Sequence, residues 1–212
     1  AGRLTAAKFT VGDFGTVNGL SDRTLIYTYD IAGNRIQVFE DGVETLYSSN
    51  ALNQYTQVGS ATFTYDADGN QTSKTSNGET WVYEYDTYNR PLSVSGPRGE
   101  ETQYQYDVFG NPAAVITNGV RTEFLVDPFS FGSGVGTPVS EYVNGEPVTS
   151  YIFGYKPVAQ HVGSDITYFQ GDGLGSVIAL TDSSGAVVNS YFYDPFGRLL
   201  MDDENVANRL QF

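Results

Sequence analysis

The sequence contains no cysteine and only one histidine, one methionine and one tryptophan in 212 residues. Without cysteine there is no disulfide, no thiolate nucleophile and no zinc–sulfur site. His161 would need Asp or Glu partners to hold a metal, and the sequence specifies none. A catalytic triad would need a placed nucleophile as well. Cations are also scarce: Lys and Arg total 11 against 25 Asp and Glu, a formal net charge of −14. Nucleic acid is bound through cationic contacts to phosphate, so this balance disfavours a nucleic-acid partner. It equally disfavours an anionic membrane surface. The acidity reads as a solvated surface. No apolar run approaches the ~20 residues of a membrane span, and no signal-peptide pattern is present. The glycine run from Gly132 to Gly136 lacks the Lys-Ser/Thr that completes a phosphate loop.

Turn formers and aromatics are abundant, with 24 Gly, 16 Tyr and 13 Phe. They are arranged in a repeat. Tyr104-Gln105-Tyr106-Asp107-Val108-Phe109-Gly110-Asn111 reads as a strand entering a tight turn. The two tyrosines share one strand face, and Asp107 can accept a backbone N–H two residues on, which favours a turn. The unit recurs as Tyr27, Tyr29, Asp30, Gly33; as Phe63, Tyr65, Asp66, Gly69; as Trp81, Tyr83, Tyr85, Asp86, Asn89; and as Tyr191, Tyr193, Asp194, Gly197. Weaker copies hold Tyr47, Asn50, Asn53 and Phe124, Val126, Asp127, Ser130. Only the Asp127 copy departs from Gly or Asn at the third position after the acid or amide, where left-handed geometry is expected.

From Asp30 to Asp127 these turns step by 20, 16, 20, 21 and 20 residues, which marks a repeat architecture. Between them lie Asp41-Gly42, Asn77-Gly78, Arg98-Gly99 and Asn118-Gly119. Three of these four are dipeptides preferred in two-residue hairpins. The expected fold class is therefore all-β, an antiparallel meander of hairpins with strands of roughly 5–8 residues. In Thr24 to Tyr29 the large apolar residues alternate, and Ile36 and Val38 should continue that alternation after the turn.

The chain divides into four stretches. Residues 1–20 read as an irregular N-terminal segment or cap; its first five residues look like the second half of a turn, as in a piece of a longer protein. Residues 21–127 are the repeat array. Residues 128–165 lose the register: Phe129 to Gly136 reads as a long loop or re-aimed strand, followed by a hairpin at Asn144-Gly145 with Pro147 on an edge or unpaired. Residues 166–212 carry Asp-x-x-Gly turns at Asp172 to Gly175, Asp182 to Gly185 and Asp194 to Gly197. Met201 to Asn205 reads as an acidic loop or short helical turn.

The Tyr-x-Tyr-Asp units at Tyr27, Tyr83 and Tyr104 resemble the RHS/YD-repeat family. Asp172-Gly-Leu-Gly-Ser176, Thr181-Asp182-Ser-Ser-Gly185 and Tyr193-Asp194-Pro-Phe-Gly-Arg198 are similar to the start of its RHS-associated core region. The resemblance implies a β-ribbon that curves into a hollow shell. Such shells enclose a toxic C-terminal segment in bacterial polymorphic toxins and insecticidal toxin complexes; a similar shell in animal teneurins serves adhesion. The family's shells are several times longer than this chain, so it would form a curved ribbon or partial shell. Any self-cleavage site or toxin would lie beyond Phe212 and is not carried over.

Candidate chemistry is sparse. Asp66-Ala-Asp68-Gly69-Asn70 has some calcium-loop oxygens, but its Gly is misplaced and Asn77 stands where Glu is needed. Asp194-Pro195 sits where the turn needs its Asp. No catalytic residue, metal site or cofactor is assigned. Trp81, Tyr83, Tyr85, Tyr104 and Tyr106 either pack between ribbons or stack on sugar rings. The expected function is a non-enzymatic wall segment in a secreted or cell-surface bacterial protein, with neighbouring repeats and an enclosed toxin or other cargo as partners. The alternative is a carbohydrate-binding or adhesion module. Open edge strands also invite self-association.

Overall fold

The computed structural model describes residues 3–9, 22–128 and 137–211. Among them there is no helix; 19 strands are joined by tight turns. The chain forms two compact units, Ala1–Glu101 and Thr102–Phe212.

The first unit holds β1 (Ala6–Phe9), β2 (Arg23–Tyr29), β3 (Arg35–Glu40), β4 (Val43–Ser49), β5 (Tyr55–Val58), β6 (Ala61–Tyr65), β7 (Gln71–Ser76), β8 (Glu79–Tyr85) and β9 (Pro91–Ser95). Each strand pairs antiparallel with the next. In β2 the alternation is strict: Leu25 and Tyr27 are buried while Ile26 is exposed. They pack with Val38 into a small core. From Val43 to Gly110 no described residue is fully buried.

The second unit holds β10 (Glu101–Tyr106, from Thr102), β11 (Pro112–Thr117), β12 (Val120–Asp127), β13 (Thr137–Val143), β14 (Glu146–Phe153), β15 (Pro157–Val162), β16 (Asp165–Gly171), β17 (Val177–Thr181), β18 (Val187–Tyr193) and β19 (Leu199–Glu204). These too pair in sequence order. Val177, Leu180 and Tyr191 form a buried cluster in it, with Phe169, Val188 and Tyr193 packed against them.

Two kinds of turn recur. At Asp41-Gly42, Asn77-Gly78, Asn118-Gly119 and Asn144-Gly145 both residues have positive φ. That is the mirror-image turn whose twist suits a two-residue hairpin. The other kind shifts the strand register by one residue, as between Thr28 and Tyr29 or between Thr64 and Tyr65. Such bulges sharpen the right-handed twist.

Three expectations need correction. Ile36 does not share the buried face with Val38. It is the extra residue of the bulge, skipped between the pairs Tyr29–Arg35 and Thr28–Gln37, and it is exposed. Arg98-Gly99 does not belong to the second class of turn with Asp41-Gly42, Asn77-Gly78 and Asn118-Gly119. Only Gly99 has positive φ, and the backbone bonds Gly96 N–H to Glu100 O and Gly99 N–H to Gly96 O are those of the bulged turn. Met201 to Glu204 is neither loop nor helical turn but most of β19, paired with β18. Pairing with a neighbouring strand overrides the local polarity of Asp202 and Asp203. The segment Phe129 to Gly136, and most of the N-terminal stretch, lie outside the described residues.

Candidate functional site: turn edge and aromatic face

The bulged turns share one hydrogen-bond scheme. The residue at the Asp position donates its N–H to the carbonyl four residues on, and the third residue after it donates back. For Asp30 these bonds are 2.9 and 3.2 Å. The Asp30 carboxylate completes the turn, Oδ1 accepting from the N–H of Gly33 and Asn34 and Oδ2 from Asn34 Nδ2. Asp66 does the same with Asn70, and Asp107 with Asn111. Asp86 and Asp194 instead take an arginine four residues on, at 2.6 and 3.1 Å. Asp172 and Asp182 accept backbone N–H groups together with a serine side chain, Ser176 and Ser184. In the Gly96 turn the missing carboxylate is supplied by Glu100, whose Oε2 accepts the Arg98 N–H.

The third position is Gly33, Gly69, Asn89, Gly110, Gly175, Gly185 or Gly197, each with positive φ. Strain-free occupancy there favours Gly, with Asn tolerated. The asparagine hydrogen bond holds the Asp30, Asp66 and Asp107 carboxyls below the usual carboxylate range. The Asp66 carboxylate is thus already committed to its own turn.

Successive turns are stitched together. Asn34 Nδ2 donates to Asn53 Oδ1, and Asn70 Nδ2 to Asn89 Oδ1, both at 2.8 Å. At several turns the tyrosine just before the Asp performs a second stitch. Tyr65 donates its hydroxyl to the Tyr55 carbonyl at 2.7 Å, Tyr85 to Gln71 at 3.1 Å and Tyr193 to Val177 at 3.0 Å. Each acceptor opens the second strand of the preceding hairpin. Tyr29 likewise donates to the Leu4 carbonyl. The motif's Tyr and Asp therefore act together, Asp closing its own turn and Tyr fastening it to its neighbour. Desolvation is the first cause that pushes the Tyr193 hydroxyl up to about 12.

Trp81, Tyr83 and Tyr85 lie half-buried on one face of β8, alternating with exposed Thr80, Val82 and Glu84. Lys74, the cross-strand partner of Trp81, holds its ammonium 5.6 Å from the indole centroid. Tyr104 and Tyr106 are half-buried on one face of β10. The opposite face of the first unit is hydroxyl-rich, with Thr64 bonded to Thr72 and Ser73, and Thr75 to Thr80. His161 lies on β15 beside Pro147, Val148, Thr149 and Ser150, along an open groove. No cluster of three or more potential metal ligands occurs among the described residues. No helix there is long and apolar enough to cross a membrane.

Sequence reasoning missed one feature of the second unit. Its inward face carries buried Glu141, Gln160, Thr167 and Asn189, and residues 205–211 run over it. The available signal was an amide in a largely apolar strand, Val187-Val188-Asn189-Ser190-Tyr191-Phe192-Tyr193.

An all-β array of hairpins closed by one recurring turn, several of them fastened to a neighbour by a tyrosine hydroxyl, defines a repeat protein. Residues 65–101 and 85–122 match the RHS Repeat family, and the chain belongs to the RHS/YD-repeat family. The tRNA3(Ser)-specific nuclease WapA of Bacillus spizizenii is 30% identical over 204 residues, and the tRNA nuclease WapA of Bacillus subtilis 29% over the same length. Both alignments cover 90% of this chain and 8% of the relative. The chain therefore spans under a tenth of these curated relatives. Among solved structures, it resembles the TcdB2-TccC3 crystal structure (TM-score 0.43, 15% identity, 87% of this chain and 14% of that one). It also resembles the Photorhabdus luminescens Tc holotoxin pore at TM-score 0.41, with 15% identity and the same coverage.

Proposed function

We propose that this chain is a wall segment of a β-shell that encloses or presents a toxin or other cargo in a secreted or cell-surface bacterial protein. The observation that carries this reading is the repeated fastening of hairpin to hairpin, by Tyr65, Tyr85 and Tyr193 and by the Asn34–Asn53 and Asn70–Asn89 amide pairs. It lets a ribbon extend by addition of identical units. The segment's role is passive: the turns fix register and the aromatic face shields or lines a space. The nuclease activity named for the WapA relatives belongs to those proteins, of which this chain matches 8%. The acidic charge of −14 is poorly suited to hold tRNA.

The test uses the parent protein that bears this segment. Its enclosed segment should resist protease, and Gly110→Val should make that segment cleavable while the rest of the chain persists. Equal cleavage in both proteins would refute enclosure. The purified chain should leave tRNA intact; cleavage that a single carboxylate substitution abolishes would refute the passive role. A second reading, a carbohydrate-binding module, is favoured by the half-exposed Trp81–Tyr83–Tyr85 stripe. On a glycan array, binding lost in Tyr83→Ala and Tyr104→Ala with the fold retained would place this reading first.

A further inference from the structure

Residues 205–211 are held mainly by their main chain. Asn189 Oδ1 accepts the N–H of Asn205 at 3.0 Å and of Val206 at 2.9 Å, and its Nδ2 donates to the Val206 carbonyl at 2.6 Å. Gln160 Nε2 donates to the Ala207 carbonyl at 2.9 Å. The Val177 N–H donates to the Gln211 carbonyl at 2.7 Å. Four side chains of the segment are also engaged. Asn205 Nδ2 donates to the Val188 carbonyl and Gln211 Nε2 to Glu204 Oε2. Asn208 is buried and donates to Tyr191 Oη. Arg209 pairs with buried Glu141 at 2.9 Å, while Glu141 also accepts the Tyr151 hydroxyl at 2.7 Å.

This is an unusual way to close a core. Burying polar groups costs free energy unless each is hydrogen-bonded, and an ion pair with one partner half in solvent adds little stability. The face is also incompletely satisfied. Gln160 and Thr167 stand opposite each other on β15 and β16, both more than nine-tenths buried. Among the described residues, neither Gln160 Oε1 nor Thr167 Oγ1 has a hydrogen-bond partner. A face that reads amides and carbonyls and keeps capacity in reserve matches an extended polypeptide better than an apolar lid.

We propose that the polar face formed by Glu141, Gln160, Thr167 and Asn189 is a binding track for an extended polypeptide, with residues 205–211 seated in it as a displaceable internal ligand. Asn189, Gln160 and Val177 read the backbone of the occupant. Tyr191 and Glu141 select an Asn followed by an Arg. The Arg209 side chain is 53% exposed, so the latch can be reached from solvent. The inference concerns this face alone and stands whether or not the parent encloses cargo.

The test uses the full chain and a fluorescent synthetic peptide with the sequence of residues 205–211. Arg209→Ala should open the latch, with at least tenfold faster exchange at the Val177 and Val206 amides. The peptide should then bind that variant saturably and at least tenfold tighter than the wild type. A peptide carrying Asn208→Ala should bind at least tenfold more weakly. Glu141→Gln, which keeps the shape of the buried side chain, is the second variant should Arg209→Ala fail to fold. Unchanged exchange would show that the segment cannot be displaced. Faster exchange without saturable peptide binding would show an ordinary core. Either result overturns the proposal.

Discussion

The two units are built from the same hairpin and turn, yet they dispose of their inward faces differently. In the first, burial among the described residues is confined to Leu25, Tyr27 and Val38. Strands β5 to β9 present half-buried aromatics with no fully buried residue. In the second, Leu180, Tyr191 and a row of buried polar side chains lie beneath residues 205–211. The repeat motif therefore specifies a ribbon and its register, but not whether a face is covered. Covering depends on a segment that follows no repeat, and on Asn189 and Gln160 placed to grip it. Regularity suffices for a wall, whereas closure needs exceptions to it.

The comparison can be broken most strongly at the closed face. Leu180→Ala should cost about 3 kcal/mol, because a fully buried leucine leaves a cavity. Trp81→Phe in the first unit should cost under about 1 kcal/mol, since that ring is already half in solvent. Urea unfolding of both variants checks the contrast, and equal costs would erase it. At the turns the units should behave alike. Gly110 has φ 89°, so Gly110→Val should lower stability by about 1 kcal/mol or more. Gly110→Asn should cost less, because Asn89 holds the equivalent position at φ 60°. An unchanged melting point for Gly110→Val would contradict the left-handed geometry.

The stitches should matter less individually. Tyr65→Phe removes one hydroxyl bond to the Tyr55 carbonyl and should cost about 1 kcal/mol, as should Tyr193→Phe in the other unit. A cost near zero in one unit alone would mean that its hairpins are fastened otherwise. The smallest effect concerns pH. Asp66 has its folded pKa lowered, chiefly by the Asn70 side chain. Its contribution is therefore complete above the unfolded carboxylate value, about 3.9, and is lost as pH falls through the lower folded value. Asn50 already supports the same turn with an amide, accepting the Leu52 and Gln54 N–H groups. Asp66→Asn should accordingly keep the turn and flatten the acid limb of the stability curve. An unaltered acid limb would show that Asp66 does not contribute to it.

What was legible in the sequence was what local chemistry determines. The Tyr-x-Tyr-Asp spacing gave strands, faces and the positions needing positive φ, and Asn77-Gly78 or Asn118-Gly119 marked the opposite turns. The bulge was not legible. A residue is skipped only when two strands pair, so Ile36 looked inward by alternation and is exposed by register. The Gly96 turn was hidden because its carboxylate comes from Glu100, on the far side of the loop. The covering segment was hidden because Asn189 meets Val206 across 17 residues, with no periodic signal at either end.

Trp81 is the chain's single tryptophan and lies on β8, in the stretch of the first unit from Val43 onward where no described residue is fully buried, so it reports directly on the contrast between the units. Acrylamide quenching of its emission is the most direct measurement. An open face predicts quenching of the folded chain not far below that of the chain unfolded in urea, with little shift of emission on unfolding. Strong protection of Trp81 in the folded monomer, lost on unfolding with a large red shift, would contradict it and show that this face is closed as well.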